Sequence, residues 1–165
     1  MNNTKEAKYF PRVAYFCMEY CLHEKLPIYA GGLGVLAGDY LKAAKDLNLP
    51  VIGIGILWRQ DYTEQYIDAD GNPYDIYPNY NYEFLDDTGV TVTVSIGGDE
   101  VELKVWHTDQ FNNASLYLLD AGKPGKKHGN FTARLYSGGS EDRITQEIIL
   151  GIGGIRALRA MNIDV

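Results

Sequence analysis

Two short stretches of the chain are almost continuously apolar, and they frame the rest. Arg12 to Met18 (RVAYFCM) and Val51 to Leu57 (VIGIGIL) lack the polar alternation of a half-exposed strand, so both read as strands buried on two faces. Between them, residues 19–34 read as a loop that ends in Gly31-Gly32-Leu33-Gly34. Val35 to Leu47 then reads as a helix, with Leu36, Tyr40, Leu41, Ala44 and Leu47 on one face, and Asn48 and Pro50 stop it. This β–loop–α–β order predicts an α/β fold with a Rossmann-like parallel sheet covered by helices.

The pattern changes after Leu57. Trp58 to Ile67 alternates roughly and reads as extended, and Asp70-Gly71-Asn72-Pro73 reads as a turn. Val90 to Ile96 and Val101 to His107 alternate around Gly97-Gly98-Asp99, a hairpin signal. Ser115 to Leu119 is a further strand. Residues 58–120 are therefore expected to form an antiparallel hairpin insertion on the parallel core, followed by a mobile loop at Gly122 to Gly129 (GKPGKKHG). Glu141 to Met161 is predicted to be the longest helix. Its stripe is Ile144, Ile148, Ile149, Ile152, Ile155, Leu158 and Met161, with Ser140 as N-cap and Arg156 and Arg159 near its end. Gly151, Gly153 and Gly154 inside it imply close packing or a local break, since mid-helix glycine costs up to about 1 kcal/mol against alanine. Asn162-Ile163-Asp164-Val165 reads as the approach to another buried strand, so the chain is expected to be cut short, a half that needs more polypeptide.

Composition narrows the function classes. The 165 residues suit one domain, and 45% hydrophobic residues supply a core without any run long enough to span a membrane. Met1 to Lys8 is polar and lacks the apolar stretch of a signal peptide. Cys17 and Cys21 give no disulfide framework, so a cytoplasmic setting is the default and the sequons at Asn113 and Asn130 carry no weight. A net charge of −7 argues against nucleic acid as a partner. The 13 tyrosines offer flat faces with a hydroxyl, which suits sugars as well as ordinary half-buried positions.

The glycine run carries the strongest chemistry. Bare backbone lets amides approach a ligand, and a helix N-terminus presents unpaired N–H groups with a partial positive charge, so Gly31 to Gly34 form a seat for a phosphate or sugar oxygen. Gly32 to Ala37 also fits the dinucleotide pattern G-x-G-x-x-A, but the preceding strand ends about a dozen residues too early and Val51 to Leu57 ends in no acid for a ribose. Glu19, at the end of the first strand, is a candidate cleft carboxylate or a surface acid. Cys17 and Cys21 have no companion pair for a metal. His23, His107 and His128 are scattered and read as structural or solvated. Asp68 to Asn72 lacks the glycine and glutamate spacing of a calcium loop. Lys123, Lys126 and Lys127 read as a solvated loop, and Arg143, Gln146 and Glu147 as helix-end or interdomain pairing.

Several blocks occur together and in order: Ala14-Tyr15-Phe16-Cys17-Met18-Glu19-Tyr20, Leu22 to Tyr29, Gly31 to Asp39, Val51 to Gln60, Leu116 to Asp120, and Arg143 to Arg159. Jointly they resemble the N-terminal region of α-glucan (glycogen, starch or maltodextrin) phosphorylases, in their shorter bacterial and archaeal branch, over nearly the whole chain. The resemblance implies the N-terminal half of a GT-B glycosyltransferase fold, two Rossmann-like domains facing across a cleft. It implies a transferase that cleaves terminal α-1,4 glucosyl units with inorganic phosphate and releases glucose 1-phosphate, so its partners are an α-1,4-glucan and phosphate. It also implies pyridoxal 5′-phosphate as cofactor in the full-length enzyme, held as a Schiff base by a lysine of a C-terminal domain that no segment here matches. No covalent cofactor is therefore expected on this chain, which is expected to be inactive alone.

Carried over residue by residue, Gly31, Gly32 and Gly34 match the loop whose amides face the reacting phosphate. Leu33 matches the leucine beside the glucosyl unit, and Glu19 a glutamate bordering the cleft. The chain departs from the family at Cys17, Cys21, Asp61 and Ser140. Glycogen synthases share GGLG with a lysine two residues ahead, where this chain has Tyr29. The alternative reading is a non-catalytic glucan- or phosphate-binding or regulatory protein.

Overall fold

The computed structural model describes residues 12–60 and 62–165. The polar stretch Met1 to Lys8 and the departure at Asp61 lie outside the described residues. The first apolar run forms β1 (Val13–Phe16). The following segment is not pure loop: β2 (Tyr20–Cys21) and β3 (Pro27–Ile28) pair antiparallel within it. Helix α1 (Gly32–Asp46) leads to β4 (Val51–Ile56), which lies parallel to β1 with Val13 opposite Val51 and Phe16 opposite Ile54. β5 (Glu64–Ile67) and β6 (Pro73–Ile76) make a small separate hairpin. β7 (Asp86–Ile96) and β8 (Asp99–Thr108) make a long one, turning at Gly97 and Gly98, both in the left-handed region. β9 (Leu116–Asp120) follows.

The main sheet has the order β1-β4-β9-β8-β7. It corrects the expected division of the chain at one point. Leu116 to Asp120 pairs parallel with β4 on one side and antiparallel with β8 on the other, so it belongs to the parallel core. The β7–β8 hairpin continues that same sheet through backbone hydrogen bonding to β9. The result is an α/β protein with a mixed sheet, compatible with a Rossmann-like core.

The glycine run also sits differently from its expected place. Gly31 is the extended N-cap, and Gly32, Leu33 and Gly34 form the first turn of α1 instead of a loop before it. The helix buries Gly34, Ala37, Gly38, Leu41 and Ala44, while Leu36 and Leu47 are 63% and 69% exposed. Small residues set this face because the helix presses onto the β2 backbone. A Cβ on Gly38 would lie 2.0 Å from the carbonyl oxygen of Cys21. The helix closes at Asn48 as expected. This residue adopts the left-handed conformation, and the Leu49 amide returns to the Ala44 carbonyl.

The long helix is broken as well as closely packed. It runs as α2 (Ser140–Ile148), one π turn at Ile149–Gly153, and α3 (Gly154–Ala160). Its N-cap is Gly139, not Ser140, and the Asp142 carboxylate accepts from the Gly139 amide at 2.8 Å. A Cβ on Gly154 would meet Phe16 at 2.5 Å and Ile54 at 2.8 Å, and one on Gly153 would meet Leu103 at 2.7 Å. The π turn shifts the angular phase of every later side chain. The expected single stripe therefore splits: Ile149 and Leu158 are buried, whereas Ile152 and Ile155 face outward, as does Ile144 ahead of the turn. The core itself is continuous, from Tyr20, Leu41 and Ile54 through Trp58 to Leu103, Leu118 and Leu119. Each fully buried large aliphatic side chain there contributes about 1.5–3 kcal/mol.

These contacts set an expected outcome. Gly38→Ala forces a methyl against backbone that cannot yield, and urea unfolding is expected to show a loss of about 1–3 kcal/mol. Gly151 has open space around it, so Gly151→Ala is expected to be neutral or to gain up to about 1 kcal/mol.

Candidate functional site

The three parallel strands β1, β4 and β9 end on the same edge of the sheet, and the polar residues that follow them gather there. Ligands of open α/β sheets bind beyond the carboxyl ends of the strands. Three residues past the end of β1 stands Glu19, past β4 stands Arg59, and β9 ends on Asp120. The connections are laced together by buried hydrogen bonds. The Trp58 indole donates to the Met18 carbonyl at 2.7 Å, and the Tyr82 hydroxyl to the Trp58 carbonyl at 2.8 Å. The Gln60 amide donates to the Ala133 carbonyl at 2.8 Å.

Glu19 is 2% exposed. Its Oε2 accepts from the amides of Ala30 at 2.7 Å and Gly31 at 3.1 Å, and its Oε1 accepts from the Tyr136 hydroxyl at 2.6 Å. No ion pair to it occurs among the described residues. Burying a carboxylate without a cation is costly unless hydrogen bonds replace its water. Three donors do so here. Glu19 is thus turned into the entry of the glycine turn, where it holds backbone.

That arrangement sorts the amides of the glycine turn. Gly31 donates to Glu19, and Gly34 donates to the Gly31 carbonyl at 3.1 Å. Gly32 and Leu33 have no acceptor among the described residues, and both are exposed. The glycines differ in the same way. A Cβ on Gly34 would sit 2.5 Å from Tyr29 Cβ and 2.9 Å from Glu19 Oε2, so packing demands glycine there. Gly31 and Gly32 have nothing within 4 Å and no left-handed backbone. Nothing in the described fold requires those two residues to lack a side chain.

Asp120 is the second buried carboxylate of this edge, 4% exposed. It forms an ion pair with Arg59 and accepts from Trp106 Nε1 at 3.0 Å and the Gly122 amide at 2.9 Å. The pair is fully partnered, the condition under which a buried ion pair is tolerated. Arg59 and Lys123 line a hollow of about 390 Å³ with Gln60, Asn79 and Asn81.

The other candidate residues are explained without a ligand. Cys17 and Cys21 are free thiols, and burial pushes the Cys17 thiol up. His23 stacks on Phe111, His107 lies 3.3 Å from Asp86, and His128 lies 3.2 Å from Asp99. No group of three potential metal ligands occurs among the described residues. Asp68 closes its own turn, accepting from the amides of Asp70 and Asn72 at 2.9 and 2.8 Å. Lys127 reaches Asp99 at 3.7 Å, and Arg143 pairs with Glu147 one turn on, at 3.1 Å. No helix among the described residues is long and apolar enough to cross a membrane.

Sequence reasoning missed Arg59, Asp120 and Tyr136. Arg59 and Asp120 had a local signal, a charge placed directly at the end of an apolar run. Tyr136 had none, since it meets Glu19 across 117 residues of sequence. Burial, then the bond to the Glu19 carboxylate, push its hydroxyl from 10.0 up to about 12. The folded state therefore favours the neutral phenol, and this stabilisation is complete below pH 10.0 and lost as pH rises towards about 12. Unfolding free energy is expected to fall across that window, and to fall less steeply in Tyr136→Phe. Urea titrations at stepped pH check this.

No family model matches the chain. Individual curated proteins do. A glycogen phosphorylase of Mycobacterium tuberculosis (strain H37Rv) is 43% identical over 159 residues, covering 90% of this chain and 18% of that protein. A maltodextrin phosphorylase of Thermococcus litoralis is 38% identical over 174 residues, covering 98% and 21%. A glycogen phosphorylase of Aquifex aeolicus is 35% identical over 169 residues, covering 96% and 24%. The chain spans about a fifth of the length of these relatives. A β1–glycine turn–α1 unit on a mixed α/β sheet, in a chain matched over 90–98% of its length by phosphorylases at 35–43% identity, places the chain in the α-glucan phosphorylase family as an N-terminal segment of it.

Proposed function

We propose that this chain forms part of the N-terminal GT-B domain of a cytoplasmic α-1,4-glucan phosphorylase, the enzyme that uses inorganic phosphate to release glucose 1-phosphate from glucan ends. The carrying observation is the pair Gly31 and Gly32: side chains there would meet open space, and the amides of Gly32 and Leu33 are exposed without an acceptor among the described residues. An oxyanion fits this place, because α1 adds its N-terminal partial charge to the two donors. As phosphate attacks the sugar, these fixed amides stabilise its oxygens with no reorganisation. Leu33, 47% exposed, lies beside them as the apolar contact for a glucosyl ring. Water must be excluded, or hydrolysis competes. A second domain closing over this edge supplies that exclusion.

The cofactor expected for the full-length enzyme, pyridoxal 5′-phosphate, does not fit this chain's own residues as a covalent partner. The described lysines (Lys25, Lys42, Lys45, Lys104, Lys123, Lys126 and Lys127) are all exposed or half-exposed, and none stands at the ends of β1, β4 and β9 beside Glu19.

Two outcomes are expected. The chain mixed with maltodextrin, phosphate and pyridoxal 5′-phosphate gives no glucose 1-phosphate above blank, and calorimetry with maltoheptaose shows no tight binding. Turnover would overturn the partial-domain reading, and tight binding would favour the non-catalytic binder. In ¹H–¹⁵N spectra, inorganic phosphate is expected to shift the amides of Gly32 and Leu33 before those of Gly31 and Gly34. Gly32 is the first helical residue, where proline is tolerated. Gly32→Pro is therefore expected to keep the fold and weaken phosphate by roughly tenfold, the loss of one hydrogen bond to a charged group, about 1.5 kcal/mol. No shift in the parent chain would remove the phosphate seat.

A further inference from the structure

A phosphate seat beside a buried carboxylate poses an electrostatic problem. Glu19 Oε2 lies 3.1 Å from the Gly31 nitrogen, and Gly31 immediately precedes the free amides of Gly32 and Leu33. A carboxylate that swung towards those amides would occupy them as the ligand should, and its charge would repel an arriving anion. Two backbone donors hold Oε2. Oε1 accepts from the Tyr136 hydroxyl at 2.6 Å.

The chain around Tyr136 is built to deliver that hydroxyl. Tyr136 takes a left-handed backbone conformation with φ 56°, uncommon for a residue with a ring, and Gly138 follows at φ 81°. The turn is fastened from behind. Ser137 Oγ donates to the Arg134 carbonyl at 2.8 Å, the buried Gln146 side chain donates to the same carbonyl at 3.4 Å, and Asp142 takes the Gly139 amide. The segment is thus anchored to the start of α2, and Tyr136 bridges it to the glycine turn. The Tyr136 ring remains 43% exposed, with Tyr62 edge-on at 6.4 Å. Core packing does not account for a strained backbone and a half-exposed ring. The hydrogen bond does.

We infer that Tyr136 is a positioning residue for the anion seat: its hydroxyl fixes Glu19 on the amides of Ala30 and Gly31, which leaves those of Gly32 and Leu33 free for phosphate. The inference rests on the proposed phosphate site for its purpose and on the hydrogen-bond geometry alone for its existence. Its test separates the two.

Amide hydrogen exchange and phosphate titration are measured by NMR on the full chain, on Tyr136→Phe and on Ser137→Ala. Tyr136→Phe keeps the ring and deletes the donor. It is expected to speed exchange at Ala30 and Gly31 by about tenfold, with the β4 amides of Ile54 and Gly55 unchanged, and to weaken inorganic phosphate by a similar factor. Ser137→Ala removes one fastening of the turn but keeps the Tyr136 hydroxyl, and the Gln146 side chain still holds the Arg134 carbonyl, so it is expected to speed exchange at Ala30 and Gly31 far less than Tyr136→Phe does. Unchanged exchange in Tyr136→Phe overturns the inference, and so does an equal acceleration in Ser137→Ala. Faster exchange confined to Tyr136→Phe, in a chain that binds no phosphate, upholds the Tyr136–Glu19 link and overturns the phosphate seat instead.

Discussion

The carboxylate of Glu19, buried without a cation, is the constraint on which the arrangement of this protein's site depends. A charge in that position is stable only where fixed dipoles replace its water, and the dipoles come from three separate parts of the chain. The end of β1 supplies the carboxylate, the entry to α1 supplies two amides, and the segment ahead of α2 supplies a phenol. Satisfying one group therefore fixes the relative positions of the strand, the glycine turn and the last helical unit. The same bonds decide which backbone donors are consumed and which remain free, so the geometry of the candidate seat follows from a buried polar group and needs no basic side chain.

Close backbone approach is the second organising feature. Gly38 lets α1 rest on the β2 backbone, Gly34 lets it clear Glu19 and Tyr29, and Gly153 and Gly154 bring the long helix against Leu103, Phe16 and Ile54. A face made of small residues buries less apolar area per position but gains tight packing across the contact. The larger apolar residues of the same helices, among them Leu36, Leu47, Ile144 and Ile152, then point away from this core. The π turn at Ile149–Gly153 belongs to the same economy of space. It lets two helical segments of different phase lie against one sheet with glycine at the crossing.

These features bear on how an acidic chain would offer the proposed anion site. Net charge acts at long range and is screened within roughly 10 Å in ordinary salt, whereas two aimed amides at a helix start act at contact. Shared sequence shows the phosphorylase family, and the freedom of the Gly32 and Leu33 amides among the described residues is the geometric support for the proposed seat. The ion pair of Arg59 with Asp120, joined by the Trp106 indole, ties together the ends of β4 and β9 and the neighbouring β8 at the same edge.

The sequence by itself determined the elements whose signals are local. Two apolar runs became β1 and β4, Gly97-Gly98 turned the long hairpin, and Asn48 ended the first helix. It also carried the family, because ordered blocks of residue identity survive without any knowledge of contacts. Tertiary structure decided the rest. Which face of α1 is buried depended on the approach of β2, since hydrophobicity alone favours Leu36 over Gly38. The place of β9 in the parallel core depended on pairing partners that lie about 60 residues apart in sequence, a separation at which alternation cannot tell one edge from another. The role of Glu19 was invisible for the same reason. A carboxylate's meaning is set by the donors that reach it, and one of these, Tyr136, lies 117 residues away in sequence and meets it only in the folded chain.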